Sequence, residues 1–117
     1  MAVNKETVTW VKHWSSKTFS FKTTRNYPNK FNNGEFAMIG MEHEGKKLMR
    51  AYSIASANHE DYLEFLSIKI DDGPLTSKLQ HIKVGDEVLI NPRSTGTLVI
   101  DYLEPGRNLY MIATGTG

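Results

Sequence analysis

The sequence predicts a mainly β fold, an antiparallel barrel with one short helix, from three observations. Apolar residues alternate with a period of two along several short segments, as in half-buried strands. Turn-forming residues recur at intervals of about 8 to 12 residues. Only one stretch places its apolar residues at helical spacing. At 117 residues the chain is one domain's worth of polypeptide, and 39% hydrophobic with 23% charged residues is ordinary globular composition, which excludes disorder, collagen and coiled coil.

The elements follow in order. Val8 and Trp10, Phe19 and Phe21, and Phe36 and Met38 each share a face of one predicted strand. Trp14-Ser15-Ser16-Lys17 makes a turn between the first two, and the Pro/Asn/Gly-rich loop 26–34 leads to the third. Glu44-Gly45 turns the chain into a fourth strand over 47–54, and 62–70 is a fifth, whose apolar residues on both faces predict a central position. Over 74–82, Leu75, Leu79 and Ile82 fall at i, i+4 and i+7, and Pro74 suits the first helical position after Gly73. Turns at 84–86, 94–96 and 104–106 then introduce strands over 87–90, 97–100 and 108–113. Ala113-Thr114-Gly115-Thr116-Gly117 comes directly after an apolar strand pattern, so the chain is expected to be a fragment.

Without cysteine there is no disulfide, thiolate metal site or thiol nucleophile, and redox chemistry requires a bound cofactor. His13, His43, His59 and His81 have no ligand spacing, so no metal site is expected. The N-terminus has no apolar signal core and no run is long enough for a membrane span, which predicts a cytoplasmic protein without a membrane partner. A net charge of +1 argues against nucleic acid as a partner. Residues 1–58 carry nine Lys/Arg against four Glu, and residues 59–117 carry five against nine Asp/Glu. That asymmetry suits an acidic partner or anionic ligand on the first half, or equally a solvated surface. Trp10 and Trp14, four residues apart, are expected on one face, packed in the core.

Two motifs carry possible chemistry. In Gly73-Pro74-Leu75-Thr76-Ser77 a helix start offers unpaired N–H groups, a glycine permits close approach and two hydroxyls add donors, which suits phosphate. By itself the pentapeptide reads first as a capped helix with surface hydroxyls. In Arg50-Ala51-Tyr52-Ser53 a guanidinium and a phenol project from one strand face and Ser53 from the other. Such a pair can clamp a phosphate and pack on a flat ring, although an edge-strand Arg and Tyr are more often plain surface.

Taken together with Phe65-Leu66-Ser67-Ile68-Lys69 and the terminal Ala113-Thr114-Gly115-Thr116-Gly117, these motifs resemble the bacterial ferredoxin (flavodoxin)-NADP+ reductases over essentially the whole chain. The resemblance implies a six-stranded Greek-key barrel that binds FAD, spanning 1–112, with 113–117 opening an NADP-binding domain. It implies that Arg50 pairs with the pyrophosphate, Tyr52 packs on the isoalloxazine and Ser53 approaches flavin N5, with Ala51 between them. Leu66, Ser67 and Ile68 would line the cofactor, and Gly73, Pro74, Leu75, Thr76 and Ser77 would hold the diphosphate. Ser53 and Thr116 would be the catalytic positions, Thr116 standing where nicotinamide arrives. NADP(H) would be the substrate of the intact enzyme, ferredoxin or flavodoxin the partner, and the chain a monomer unable alone to oxidise NADPH. The reading from another class is a cofactor-free small-barrel module for oligosaccharide or single-stranded nucleic acid.

Overall fold

A computed structural model describes residues 3–26 and 30–114 of the chain. Six strands are present: β1 (Asn4–His13), β2 (Thr18–Thr24), β3 (Phe36–His43), β4 (Lys46–Ser53), β5 (Tyr62–Ile68) and β6 (Glu87–Thr95). One α-helix, α1 (Thr76–Leu79), lies between β5 and β6. The strands form one antiparallel sheet in the order β4-β3-β6-β1-β2-β5, in which β6 returns to insert between β3 and β1. The sheet curls until its two ends meet. Ile54, just after β4, forms a bridge with Phe65 of β5, and Ala55 N donates to Glu64 O at 2.8 Å. The result is a barrel whose last seam, between β4 and β5, is closed at one end only.

The core is built from the inward rows. Val8, Phe19, Phe21, Ile39, Phe65 and Val88 are fully buried, and Phe21 stands 5.5 Å from Phe65 between ring centroids. Leu75, Leu79 and Ile82 join the same cluster, so the segment around α1 covers one part of the barrel interior. The expected spacing therefore identified the buried face. Its length did not follow, because His81 N bonds Lys78 O and Ile82 N bonds Leu79 O, three-residue bonds that tighten the helix and end it after about one turn. Pro74 precedes the helix by two positions instead of opening it, and Leu75 is the N-cap.

Several expectations are corrected. Val8 and Trp10 do not share a face: Val8 pairs with Thr23 and Trp10 with Lys22, so the register slips by one residue at a bulge. Val11 then joins Phe21 on the inner side, and Trp10 turns outward. Trp14 is 54% exposed and donates its indole N–H to Ser20 Oγ at 2.8 Å; neither indole is core. On β3, by contrast, Phe36 and Met38 do share a face, the half-buried one, while the core takes Ala37 and Ile39. β5 is an end strand of the ladder, not a central one.

Strands over 97–100 and 108–113 do not form. The first region instead ends in a 3-10 turn, Ile100–Tyr102, and residues 108–113 have no regular element. Their apolar side chains are exposed, from 64% at Leu109 to 92% at Ile112. A strand needs a neighbour to take its backbone groups, and no described strand pairs with these residues. Ahead of the 3-10 turn, the Leu98 carbonyl rests on Gly34: φ at the glycine is +103° and a Cβ would overlap that oxygen.

Candidate functional site

The open seam is lined by two strands of unlike character. On β4 the inward row runs Leu48, Arg50, Tyr52, opposite Met41, Ile39 and Ala37 of β3. Leu48 and Tyr52 pack against the core, but Arg50 is exposed, although it stands opposite the fully buried Ile39. It is a cation at an apolar-face position, and the missing strand contact beyond β4 is what lets it reach water. Arg50 Nη1 donates to the neighbouring Met49 O at 2.8 Å. Among the described residues the one ion pair is His43 with Glu44, so Arg50 has no carboxylate partner there.

Across the seam, Ser67 is 2% exposed, and its hydroxyl lies 3.3 Å from Tyr52 Oη and 3.2 Å from Ile68 O. Its single proton serves one of these acceptors at a time. Glu64 N donates to Ser56 Oγ and Glu64 O accepts from Ala55 N, both on the seam side, whereas Lys69 N donates to Lys17 O beside β2. Strand alternation consequently turns the backbone groups of Leu66 and Ile68 toward the seam and those of Ser67 toward β2. Ala51 and Ser53 are exposed on the opposite face of β4 from Arg50 and Tyr52.

At Gly73 a Cβ would overlap Thr76 Oγ1, which itself donates to Ile70 O at 3.3 Å. The glycine thus makes room for a hydroxyl that ties the helix start to the end of β5. Ser77 N donates to Gly73 O at 3.1 Å, and Lys78 N and Leu79 N to Leu75 O at 3.0 and 2.8 Å. Those bonds leave the amides of Leu75 and Thr76 outside the helix's own ladder. Leu75 is buried and Pro74 exposed. The structure therefore brings Tyr52 to Ser67 but puts no hydrogen bond or ion pair between Arg50 and 73–77. Thr116 lies outside the described residues.

Two clusters were not anticipated from sequence. Glu6, 3% exposed, accepts from Thr24 Oγ1 at 2.7 Å, Asn26 N at 3.2 Å and Asn26 Nδ2 at 3.1 Å. Arg25 grips the turn between β4 and β5. Neither has a sequence signal, because partners 18 to 35 residues apart are joined only by the ladder. A separate cleft of about 550 Å³, with His13, Lys17, Lys69, Asp71, Gln80 and His81 on its walls, lies beside the β1–β2 turn and holds none of the seam side chains. On the outer wall the Tyr62 phenol is pushed up to about 12, first by its hydrogen bond to Glu60, then by burial and by the charges of Glu60, Glu64 and Asp61.

The barrel belongs to a flavin-binding class of domain: the sequence model of the oxidoreductase FAD-binding domain family matches residues 4–98, and the chain is a member of that family. The particular relatives are reductases. The chain is 58% identical over 115 residues to the ferredoxin–NADP reductase of Azotobacter vinelandii, covering 98% of this chain and 45% of that protein. It is 59% identical over 112 residues to the ferredoxin–NADP reductase of Pseudomonas aeruginosa, covering 96% and 43%. Among solved structures, a ferredoxin NADP+ reductase from Neisseria gonorrhoeae with bound FAD and NADP superposes with a TM-score of 0.81 at 31% identity, over 85% of this chain and 40% of that one. The chain thus spans less than half the length of these relatives. Among the described residues no helix is long and apolar enough to cross a membrane.

Proposed function

We propose that this chain is the flavin-binding half of a ferredoxin (flavodoxin)-NADP+ reductase, with residues 1–112 as that domain and 113–117 as the opening of a nucleotide-binding domain. The observation that carries the reading is the open β4–β5 seam, where Arg50, without a carboxylate partner among the described residues, stands on an apolar row beside Tyr52. A group with an anionic part and a flat aromatic part satisfies both at once, and FAD is such a group. Identity of 58% over nearly the whole chain to a named reductase supports it independently.

Arg50 would hold the diphosphate, Tyr52 and the Leu66 and Ile68 backbone would flank the ring system, and the Leu75 and Thr76 amides would face phosphate oxygens. Ser53 and Thr116 would stand nearest the reacting edge. Bound FAD supplies the exchange between hydride-pair and single-electron chemistry, while the protein supplies position and electrostatics. NADP(H) as substrate, ferredoxin or flavodoxin as partner, a monomeric state and a cytoplasmic location are part of the same proposal. So is the inability of this stretch alone to oxidise NADPH, since hydride transfer needs the nicotinamide held about 3 to 3.5 Å from its acceptor by further groups.

Titrating the purified chain with FAD, followed by flavin fluorescence and visible circular dichroism, tests the reading. Saturable binding that gives a yellow, optically active complex supports it. A colourless protein that takes up no added FAD would instead favour the cofactor-free barrel.

A further inference from the structure

The hairpin that carries the seam is closed at its tip and open at its base. Ile54 and Ala55 pair with Phe65 and Glu64, Glu64 N reaches Ser56 Oγ at 2.9 Å, and Glu60 N turns back to Ala57 O at 3.1 Å. Beyond the bridge, toward Tyr52 and Ser67, the link is a hydroxyl contact of 3.3 Å. The width of the slot is consequently set by how firmly the tip is fixed, as the opening of a peg is set at its spring.

Arg25 fixes that tip. It directly follows β2, which pairs with β5 along its whole length up to Thr24 opposite Tyr62. Its Nη1 donates to Asn58 O at 2.8 Å and Glu60 O at 2.9 Å, and its Nη2 to Asn58 Oδ1 at 3.0 Å. The guanidinium lies 4.9 Å over the buried Phe31 ring, whose own N–H donates to Asn58 Oδ1 at 3.0 Å. Asn58 N donates in turn to Asn33 Oδ1 at 2.9 Å. Three bonds from one planar fork to two carbonyls and an amide oxygen define both the height and the tilt of the tip, which a point charge would not.

We propose that Arg25 is a positioning residue for the slot: by clamping the 57–60 turn it sets the separation of Tyr52 and Ser67. The proposal deepens the flavin reading and rests on it for its consequence in binding, but its mechanical part can be read without ligand. The test compares the full chain with Arg25→Met, Arg25→Lys, Tyr52→Leu and the Arg25→Met/Tyr52→Leu double variant. Without FAD, hydrogen exchange at the Ala55 amide should quicken about tenfold or more in Arg25→Met while the Val11 and Phe21 amides keep their rates. With FAD, Arg25→Met should weaken binding about tenfold and alter the visible dichroism of the flavin. The double variant should lose less than the product of the two single losses, because both act on one spacing. Arg25→Lys keeps the charge but not the fork and should fail to restore either readout. Unchanged Ala55 exchange relative to β1 and β2, strictly multiplicative losses, or full rescue by lysine would each overturn the proposal. Wild-type protein that binds no FAD, with Ala55 exchange still quickened in Arg25→Met, would keep the clamp and overturn only the flavin reading.

Discussion

Tyr52 and Ser67 face one another across the seam with their hydroxyl oxygens 3.3 Å apart, beyond the backbone pairing of Ile54 and Ala55 with Phe65 and Glu64. A half-buried phenol held by a buried serine has its ring plane constrained before any ligand arrives, which favours stacking because less rotamer freedom is left to lose on binding. Tyr52→Leu is expected to restore part of the flavin fluorescence that the wild-type complex quenches, since leucine keeps apolar cover without the aromatic face. Equal quenching in both proteins would place the isoalloxazine elsewhere.

Arg50 is the cleanest variant for the anion-binding half of the slot. Its guanidinium is exposed and donates to Met49 O, so Arg50→Ala should leave the melting temperature almost unchanged. Loss of a charge-assisted contact of ~1.5 to 3 kcal/mol should at the same time weaken FAD binding by roughly 10- to 150-fold. Isothermal titration beside a thermal melt separates the two effects, and an unchanged FAD affinity would refute the assignment.

Glu6 should act on the fold instead. It is buried and accepts from Thr24 Oγ1 and from both nitrogens of Asn26, so Glu6→Ala strands three donors. A loss of ~1 to 3 kcal/mol in urea unfolding is expected, without a direct change at the slot.

Tyr62 supplies a pH prediction. Its ionisation is raised from 10.0 to about 12 in the folded protein, chiefly by the bond to Glu60. The folded state therefore holds this proton more tightly than the unfolded chain does. The associated stabilisation is complete below pH 10 and is lost as pH rises from 10 toward about 12. Ultraviolet titration should show one late phenol that disappears in Tyr62→Phe and moves to lower pH in Glu60→Gln; a Glu60→Gln curve identical to wild type would contradict the assigned cause.

Much of this was legible in the residues, for identifiable reasons. Phe19 and Phe21 revealed their face because β2 is regular, and Leu75, Leu79 and Ile82 revealed theirs because three-residue and four-residue bonds both keep that stripe on one side. Trp10 misled because a bulge adds a residue without leaving a mark in composition. The apolar pattern at 108–113 shows what a strand prefers but not whether an edge is free to receive it. Arg50 and Tyr52 were visible as a local pair, whereas Arg25 was not, since its partners Asn58 and Glu60 come near only once β2 and β5 have paired.

The bulge between Val8 and Trp10 also marks the place where β1 can lose a residue without turning over. Deleting Thr9 would leave Val8 opposite Thr23, Trp10 opposite Lys22 and Val11 opposite Phe21, a plain antiparallel register with Val11 still on the inner side. Point changes on the outer face of this segment have room to drift, whereas a residue lost from the regular run 10–13 would exchange the sides of the residues next to the gap. In the history of such a chain, a change in the length of β1 would survive at the bulge and be purged along the rest of the strand.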